Sequence, residues 1–231
     1  MKIMTARQVK DMAVSLGADL CGIAPVERFI EAPEGFRPKD LFTDVKSVVA
    51  LAKRLPESAF SSTSHVPYTF AADTVLQEVF RITCELALSL QDKGIIAVPI
   101  PSEPYEYWDP ETKEGKGILS LKHAGYMAGL GVMGKNTLLT NDLFGNRITL
   151  GALLIDATLK GDPIAQYTFC SDTCNLCTGN CPAKALDGTK VIQKLCRENS
   201  TVTTTKGYSL YTCHICRSIC PSGKGIKRTI T

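Results

Sequence analysis

Eight of the ten cysteines in this chain lie between positions 170 and 220, in two groups that share a spacing pattern. Each group ends in Cys-Pro after a three-residue gap, and the groups read Cys170-SDT-Cys174-NL-Cys177-TGN-Cys181 and Cys213-HI-Cys216-RSI-Cys220. Runs of this kind wrap a loop around a [4Fe-4S] cluster, and in proteins with two clusters the last cysteine of each run binds the other cluster. The cysteines therefore predict two [4Fe-4S] clusters.

This exchange of the last cysteine predicts two ligand sets. The first cluster set takes Cys170, Cys174, Cys177 and Cys220. The second cluster set takes Cys181, Cys213 and Cys216, and Cys196 between the two groups is the spare cysteine nearby that completes it. The alternative is a pair of structural zinc sites with four cysteines each, since C-x2-C pairs are also common zinc-binding elements. Zinc sites do not need the Cys-Pro endings, so the pattern favours iron-sulfur clusters.

A glycine-rich segment, AGLGVMGKNT at 128–137, matches the GxGxxG pattern and approaches the phosphate-loop pattern. Both nucleotide-binding motifs need a strand before the glycines and a helix after them. The preceding SLKHAGYMAGL predicts a helix instead, and Asn136 stands where a phosphate loop has Ser or Thr. Two interpretations remain: a helix end followed by a turn, or a backbone that approaches a large polar ligand closely.

Helical and strand patterns alternate before residue 161, which predicts an α/β layer structure. Thr5 and Gln8 form a capping box for a first helix that ends near Leu16, and Asp73 is the predicted N-cap of a long helix ending before Gly94. A further helix is predicted at 118–130, and strands at 18–24, 47–52, 95–100 and 148–155. The change in cysteine content near 161–163 predicts two domains, 1–162 and 163–231.

Composition restricts the class of protein. A hydrophobic content of 44% supports a buried core, and a net charge of +3 gives no strong sign of nucleic-acid binding. Arg7, Lys10 and Asp11 interrupt the apolar residues of the N-terminal segment, and no apolar run has the length of a membrane span. We therefore expect a cytoplasmic location without a membrane, where reduced cysteines favour metal ligation over disulfides. Cys21 and Cys84 fit strand and helix patterns and are predicted core residues.

The chain resembles the epoxyqueuosine reductase family, relatives of the reductive dehalogenases. Three blocks carry the resemblance: GADLCGIA at 17–24, AGLGVMGKNTLLT at 128–140 with Gly145 and Gly151, and the double cysteine module. The resemblance implies a cobalamin-binding α/β domain related to the nitroreductase-like flavoproteins, followed by a ferredoxin-like domain with two [4Fe-4S] clusters that feed electrons to the cobalt. It also implies an isolated cysteine between the two groups, as at Cys196.

The resemblance further implies a cofactor-binding loop that contains Gly129, Gly131, Gly134, Lys135, Asn136 and Thr137. The family's acidic residue, a proton donor, falls near Gly115 or Lys116, neither of which can serve as it does. Candidate proton donors in this region are Tyr105, Tyr107, Glu114, His123 and Tyr126.

Two functions follow from these patterns. The first is an oxidoreductase that takes electrons from a low-potential donor and passes them through both clusters to a corrinoid, or to a flavin, which reduces an unidentified small molecule. The second is an electron-transfer protein or reductive activator that docks on a partner corrinoid protein and carries no cofactor beyond its clusters. Lys224, Lys227 and Arg228 form a candidate docking patch for such a partner.

Overall fold

The computed structural model describes residues 4–226. Its helices are α1 (Ala6–Ser15), α2 (Pro38–Leu41), α3 (His65–Gln91), α4 (Leu121–Met127), α5 (Leu176–Gly179), α6 (Gln193–Ser200) and α7 (Ile215–Ser218). Its strands are β1 (Leu20–Pro25), β2 (Ser47–Arg54), β3 (Ala97–Ile100), β4 (Tyr107–Asp109), β5 (Glu114–Lys116), β6 (Val132–Met133), β7 (Leu139–Thr140), β8 (Ile148–Ile155), β9 (Thr201–Thr203) and β10 (Ser209–Tyr211). Within residues 4–226, none of the helices combines the length and the apolar character that a membrane span requires.

The main sheet has four antiparallel strands in the order β1-β2-β8-β3. β2 pairs with β8 along its full length, from Ser47 opposite Ile155 to Arg54 opposite Ile148. Because layers of helix cover both faces, β8 is buried over most of its length and reads as a continuous apolar run. The predicted strand at 148–155 is confirmed with these bounds.

Helices pack on both faces of this sheet. On one face, Val49 and Leu51 of β2 share a core with residues of α1 and α3, such as Ile82. On the other face, Val48 and Ala50 share a core with α4 and the segment after it. The α/β layer structure predicted from the sequence is confirmed.

The helix boundaries show which local sequence signals determine where a helix begins and ends. α1 begins with the predicted capping box, in which the Thr5 side chain accepts a hydrogen bond from the Gln8 backbone. The prediction that Asp73 caps the long helix is wrong, because α3 begins at His65 and its N-cap is Ser64. The Ser64 hydroxyl accepts a hydrogen bond from the Val66 backbone, which satisfies one of the free N–H groups of the first turn. α4 ends at Met127, earlier than predicted, since the chain turns at Gly129 with φ of +75°.

Residues 163–226 contain short elements and little core of their own. They comprise α5, α6, α7 and the β9–β10 hairpin. Among the hydrophobic residues of this described segment, only Cys177 and Ala185 are buried. The segment therefore depends on contacts with the rest of the chain, and on whatever its cysteines bind.

The link between the two segments is fixed by Asp162. Its carboxylate pairs with the Lys10 ammonium at 2.6 Å and accepts a hydrogen bond from the Ile23 backbone at 2.9 Å. The Asp162 backbone N–H donates to the Ile23 carbonyl at 2.9 Å. The chain near 161–163 is thus packed along β1, although the predicted division into two domains stays a prediction.

Candidate functional site

The four cysteines of the first cluster set lie near one another. Burial raises the pKa of Cys220, and the neighbouring thiols of Cys170, Cys177 and Cys174 raise it further. Burial also raises the pKa of Cys177, again with contributions from Cys170 and Cys174. All four cysteines line one small cavity, so the structure brings the last cysteine of the second group to the first three of the first group.

The cysteines of the second cluster set also influence one another electrostatically. Burial makes the largest contribution to the raised pKa of Cys196, and the Cys213 and Cys181 thiols raise it further. Burial raises the pKa of Cys216 to about 11; Arg217 lowers it, and Cys196 and Cys213 raise it. The Cys181 sulfur accepts a hydrogen bond from the Ala185 backbone N–H at 3.3 Å, a contact that stabilises thiolate ligands.

The cysteine arrangements are compatible with clusters, and they do not require the four sulfurs of a set to bind one metal ion. Within residues 4–226, no three His, Cys, Asp or Glu side chains converge to hold one metal ion. In a cubane cluster each thiolate binds a different iron atom, so four sulfurs need not converge on one point. The residues fit two such clusters, and the role of the eight cysteines as ligands stays a prediction.

His214 lies within the second group but is engaged in packing. Its ring lies 4.6 Å from the Tyr68 ring and 5.3 Å from the Phe60 ring, measured between centroids. Its Nδ1 is 2.7 Å from the Ser218 hydroxyl. These contacts tie the second cysteine group to the N-terminal part of α3.

An open cavity of about 490 Å³ lies between the glycine-rich segment and the first cluster set. Of the six predicted cofactor-loop residues, Gly134, Lys135 and Thr137 line it, and Cys170 lines it as well. The remaining lining residues are Lys122, His123, Met133, Gly188, Thr189, Lys190 and Val191. The cavity could hold a cofactor or a substrate beside the first cluster set.

Gly129, Gly131 and Asn136 do not line this cavity. A Cβ atom at Gly129 would lie 2.2 Å from the Pro163 carbonyl oxygen, and one at Gly131 would lie 2.4 Å from the Thr140 carbonyl oxygen. These two glycines therefore allow close packing of backbone against backbone. Their predicted role in holding a cofactor stays a prediction, with no lining contact to support it.

The loop 134–138 joins β6 to β7 and presents Lys135 and Asn136 to the cysteine-rich segment. The Lys135 ammonium donates to the carbonyl oxygens of Ser171, Asp172 and Cys174 at 2.9, 2.8 and 2.9 Å. The Asn136 side-chain amide is buried and donates to the Cys216 carbonyl at 3.1 Å. Both side chains therefore contact loops that carry predicted cluster ligands.

The helix before this loop also supports it. The Lys122 ammonium on α4 donates to the Thr137 carbonyl at 2.7 Å, and burial lowers the pKa of Lys122. Thr137 has φ of +61°, a strained value for a β-branched residue. The strained turn replaces the helix that a phosphate loop requires, so the structure supports the exclusion of a nucleotide motif. Sequence reasoning missed Lys122, since only its position before the glycines could have marked it.

Of the five candidate proton donors, His123 lines the cavity. Its Nδ1 lies 2.7 Å from the Ser120 hydroxyl, and its pKa is lowered by burial and by neighbouring Lys122. Tyr126 packs against the core under α4. Tyr105, Tyr107 and Glu114 are not among the residues that line the cavity.

Those three residues belong to the segment that carries the β4–β5 hairpin, which packs on α6 beside Cys196. The Gly115 backbone N–H donates to the Gln193 side chain at 3.0 Å, and the Gln193 amide donates back to the Gly115 carbonyl. The Arg197 guanidinium lies 5.4 Å from the Tyr105 ring and 5.0 Å from the Trp108 ring. The hairpin segment is thus held against α6, the helix that carries Cys196.

The structure describes one of the three residues of the candidate docking patch. Lys224 pairs with Glu57 at 2.9 Å across the two segments. Lys227 and Arg228 lie outside the described residues. The role of the patch stays a prediction.

Comparison with known proteins shows which proteins the chain is similar to. An epoxyqueuosine reductase from Staphylococcus aureus is 32% identical over 122 residues, which cover 48% of this chain and 31% of that protein. Another, from Leadbetterella byssophila, is 26% identical over an alignment that covers 94% of this chain and 79% of that protein. The chain is a relative of the epoxyqueuosine reductases. No protein-family model matches it. The resemblance found in the sequence is confirmed.

Solved structures of these reductases and of reductive dehalogenases share the fold. The epoxyqueuosine reductase of Streptococcus thermophilus aligns with a TM-score of 0.66 and 16% identity, covering 99% of this chain and 69% of that one. A catabolic reductive dehalogenase aligns with a TM-score of 0.70 and 19% identity, covering 97% of this chain and 32% of that one. Matched segments span less than a third of the first two curated relatives, at 31% and 30% of their lengths.

Proposed function

We propose that this chain is an iron-sulfur oxidoreductase that passes electrons through two [4Fe-4S] clusters to a corrinoid, or to a flavin, for reduction of a small molecule. The observation that carries the proposal is the cavity lined by both Cys170 and the glycine-rich segment. A ligand in that cavity would lie beside the first cluster set. One solved relative by fold is described as a B12-dependent dehalogenase, which supports a corrinoid over a flavin.

The second cluster set adjoins the first. The helix α5, which carries Cys177 of the first set, contacts α7, which carries Cys216 of the second set. Short distances between redox centres favour electron transfer between them, so the order second set, first set, cavity fits the arrangement. A low-potential electron donor and a cytoplasmic location complete the proposal, because thiolate ligands persist in a reducing compartment.

Residues around the cavity would bind the cofactor and donate a proton to the substrate. Gly134, Thr137 and the backbone of Lys135 would hold the cofactor's edge. When bound, a corrinoid supplies a strongly reducing cobalt centre, and the clusters supply single electrons. His123 is the candidate proton donor, because it lines the cavity and Ser120 orients its ring. Lys122, next to it, keeps positive charge at the wall and would favour a substrate that gains negative charge on reduction.

A second candidate function is an electron-transfer protein that reduces a partner corrinoid protein. The engagement of Lys135 and Asn136 with the cysteine loops favours it, since these polar side chains are then not free to bind a cofactor. The two functions differ in whether residues 4–162 hold a redox cofactor.

Anaerobic purification followed by optical titration with cobalamin and, separately, with flavin tests the difference. A spectral change that saturates at one equivalent supports the oxidoreductase. It should be weakened in a Lys190→Trp variant, which places a bulky ring at an exposed residue that lines the cavity. Failure to bind either compound would contradict the oxidoreductase and leave the electron-transfer protein.

Metal analysis tests what the two functions share. We expect about eight iron and eight sulfide per chain. A content of about two zinc without iron would contradict both functions.

A further inference from the structure

The loop between β6 and β7 places two adjacent polar residues between the two predicted clusters. Lys135 contacts the loop of the first cluster set through three carbonyl oxygens, all within 2.9 Å. Asn136 contacts the α7 segment of the second cluster set through the Cys216 carbonyl at 3.1 Å. Neighbouring side chains thus reach different ligand loops.

We propose that Lys135 and Asn136 are positioning residues, each of which holds one cluster loop against the α/β layers, Lys135 for the first cluster and Asn136 for the second. This inference rests on the proposed function, because it presumes that both clusters are present. It gives the Gly-Lys-Asn sequence a role in the cluster module, in addition to the cofactor contact implied by the resemblance.

Lys135 holds a turn of the cysteine-rich segment through the carbonyl oxygens of that turn. The Ser171 carbonyl accepts from Lys135 and also from the Cys174 backbone N–H at 3.0 Å, which closes the turn between two predicted ligands. An ammonium beside this turn places positive charge next to the loop of the first cluster set. Positive charge favours the state with an added electron, so Lys135 should raise the reduction potential of that cluster.

Asn136 acts without charge. Its amide donates to the Cys216 carbonyl while its carbonyl oxygen accepts from the Leu138 backbone at 3.2 Å, so the side chain is fixed from both ends. It is 4% exposed, and truncation would leave the Cys216 carbonyl without this donor. The expected effect is a looser second site with little change in potential.

The strained turn supports a positioning role. Thr137 keeps φ of +61° while its carbonyl accepts from Lys122 on α4 at 2.7 Å. Strain of this kind persists only when surrounding contacts enforce it, and it commonly marks functional segments. Here it turns the chain directly after the two residues that contact the cluster loops.

The test isolates each cluster in turn. Cys196→Ala is expected to leave the first cluster alone, and Cys177→Ala the second, with about four iron per chain in each. Lys135→Met should shift the midpoint potential to more negative values in the Cys196→Ala background, measured by redox titration with electron paramagnetic resonance, and should leave the Cys177→Ala background unchanged. Asn136→Ala should speed iron release to a chelator several-fold in the Cys177→Ala background, because its amide bonds the Cys216 carbonyl. The effect in the Cys196→Ala background should be smaller, since Asn136 also lines the small cavity among Cys170, Cys174, Cys177 and Cys220 but donates its amide to the other loop.

Matched variants separate charge from folding. Lys135→Arg keeps the charge and should restore the potential, and Lys93→Met removes an exposed lysine elsewhere and should change neither cluster. If Lys135→Met prevents assembly, loss of iron in the Cys196→Ala background with iron retained in the Cys177→Ala background supports the inference. Equal effects on both clusters, or no effect on either, would overturn it. Absence of iron from the unsubstituted protein would instead overturn the proposed function.

Discussion

The first predicted cluster takes one cysteine from outside its own run, Cys220, and the second takes two, Cys181 and Cys196. Cys196 lies on α6, and its raised pKa reflects burial together with the neighbouring Cys213 and Cys181 thiols. Cys196→Ala should therefore remove one cluster and spare the other, lowering iron from about eight to about four per chain. Iron analysis with electron paramagnetic resonance measures this. The prediction that Cys84 is a core residue is wrong, because Cys84 on α3 is exposed. Cys84→Ala is therefore a suitable control and should retain all the iron; retention of both clusters in Cys196→Ala would make Cys196 structural.

Another cysteine affects stability rather than metal binding. Burial raises the pKa of Cys21 to about 12 from an ordinary value of 9.0, with Lys10 lowering it and Asp162 raising it. The folded state therefore keeps the thiol proton while the unfolded chain loses it, so the free energy of unfolding falls as pH rises from about 9 to 12. Cys21→Ala should flatten this decline by on the order of 2–4 kcal/mol. Denaturant unfolding of both proteins across this range measures it, and parallel pH profiles would contradict it.

The segment that links the two parts of the chain is held by a part-buried carboxylate. Asp162→Ala removes the 2.6 Å pair with Lys10 and the acceptor for the Ile23 backbone, leaving that N–H without its partner. We expect a loss of about 1–3 kcal/mol in the free energy of unfolding, measured by urea titration. Asp11→Ala is the matched control, because its 3.6 Å pair with Arg7 is exposed and should contribute less than about 0.5 kcal/mol. Equal losses in the two variants would show that the link is not held in this way.

Among the helices and strands, those whose position depends on nearby residues were predictable from the sequence. β8 was predictable because burial on both faces requires an unbroken apolar run, and α1 because Thr5 and Gln8 cap it within one turn. The β4–β5 hairpin was not, because its contacts with Gln193 and Arg197 come from a distant part of the sequence. The same distinction holds within the candidate site. The spacing of the cysteines predicted two ligand sets, whereas the sequence around Lys135 does not indicate that its ammonium bonds carbonyl oxygens far along the chain.

The whole molecule distributes its stability unevenly. The cores on both sides of the main sheet lie before residue 163, whereas the described residues after it bury only Cys177 and Ala185 among their hydrophobic residues. On the proposed function, a segment with so little apolar burial would gain much of its folding free energy from the bound clusters. Removal of iron by a chelator should therefore make the chain after residue 163 sensitive to protease while the earlier part resists. Time-resolved proteolysis with mass spectrometry measures this, with the iron-loaded protein as control; uniform resistance after iron removal would contradict it.

The stack of the β4–β5 hairpin on α6 has an optical consequence. Trp108 is the only tryptophan of the chain, and the Arg197 guanidinium next to its ring follows Cys196 directly in sequence. Iron-sulfur clusters absorb where indole emits, so a filled second site should quench this fluorescence by energy transfer. The emission would rise when that cluster is lost and, because transfer weakens steeply with distance, would respond less to loss of the other. The molecule thus contains its own fluorescent reporter of cluster occupancy, which can be read without a label during assembly or exposure to oxygen.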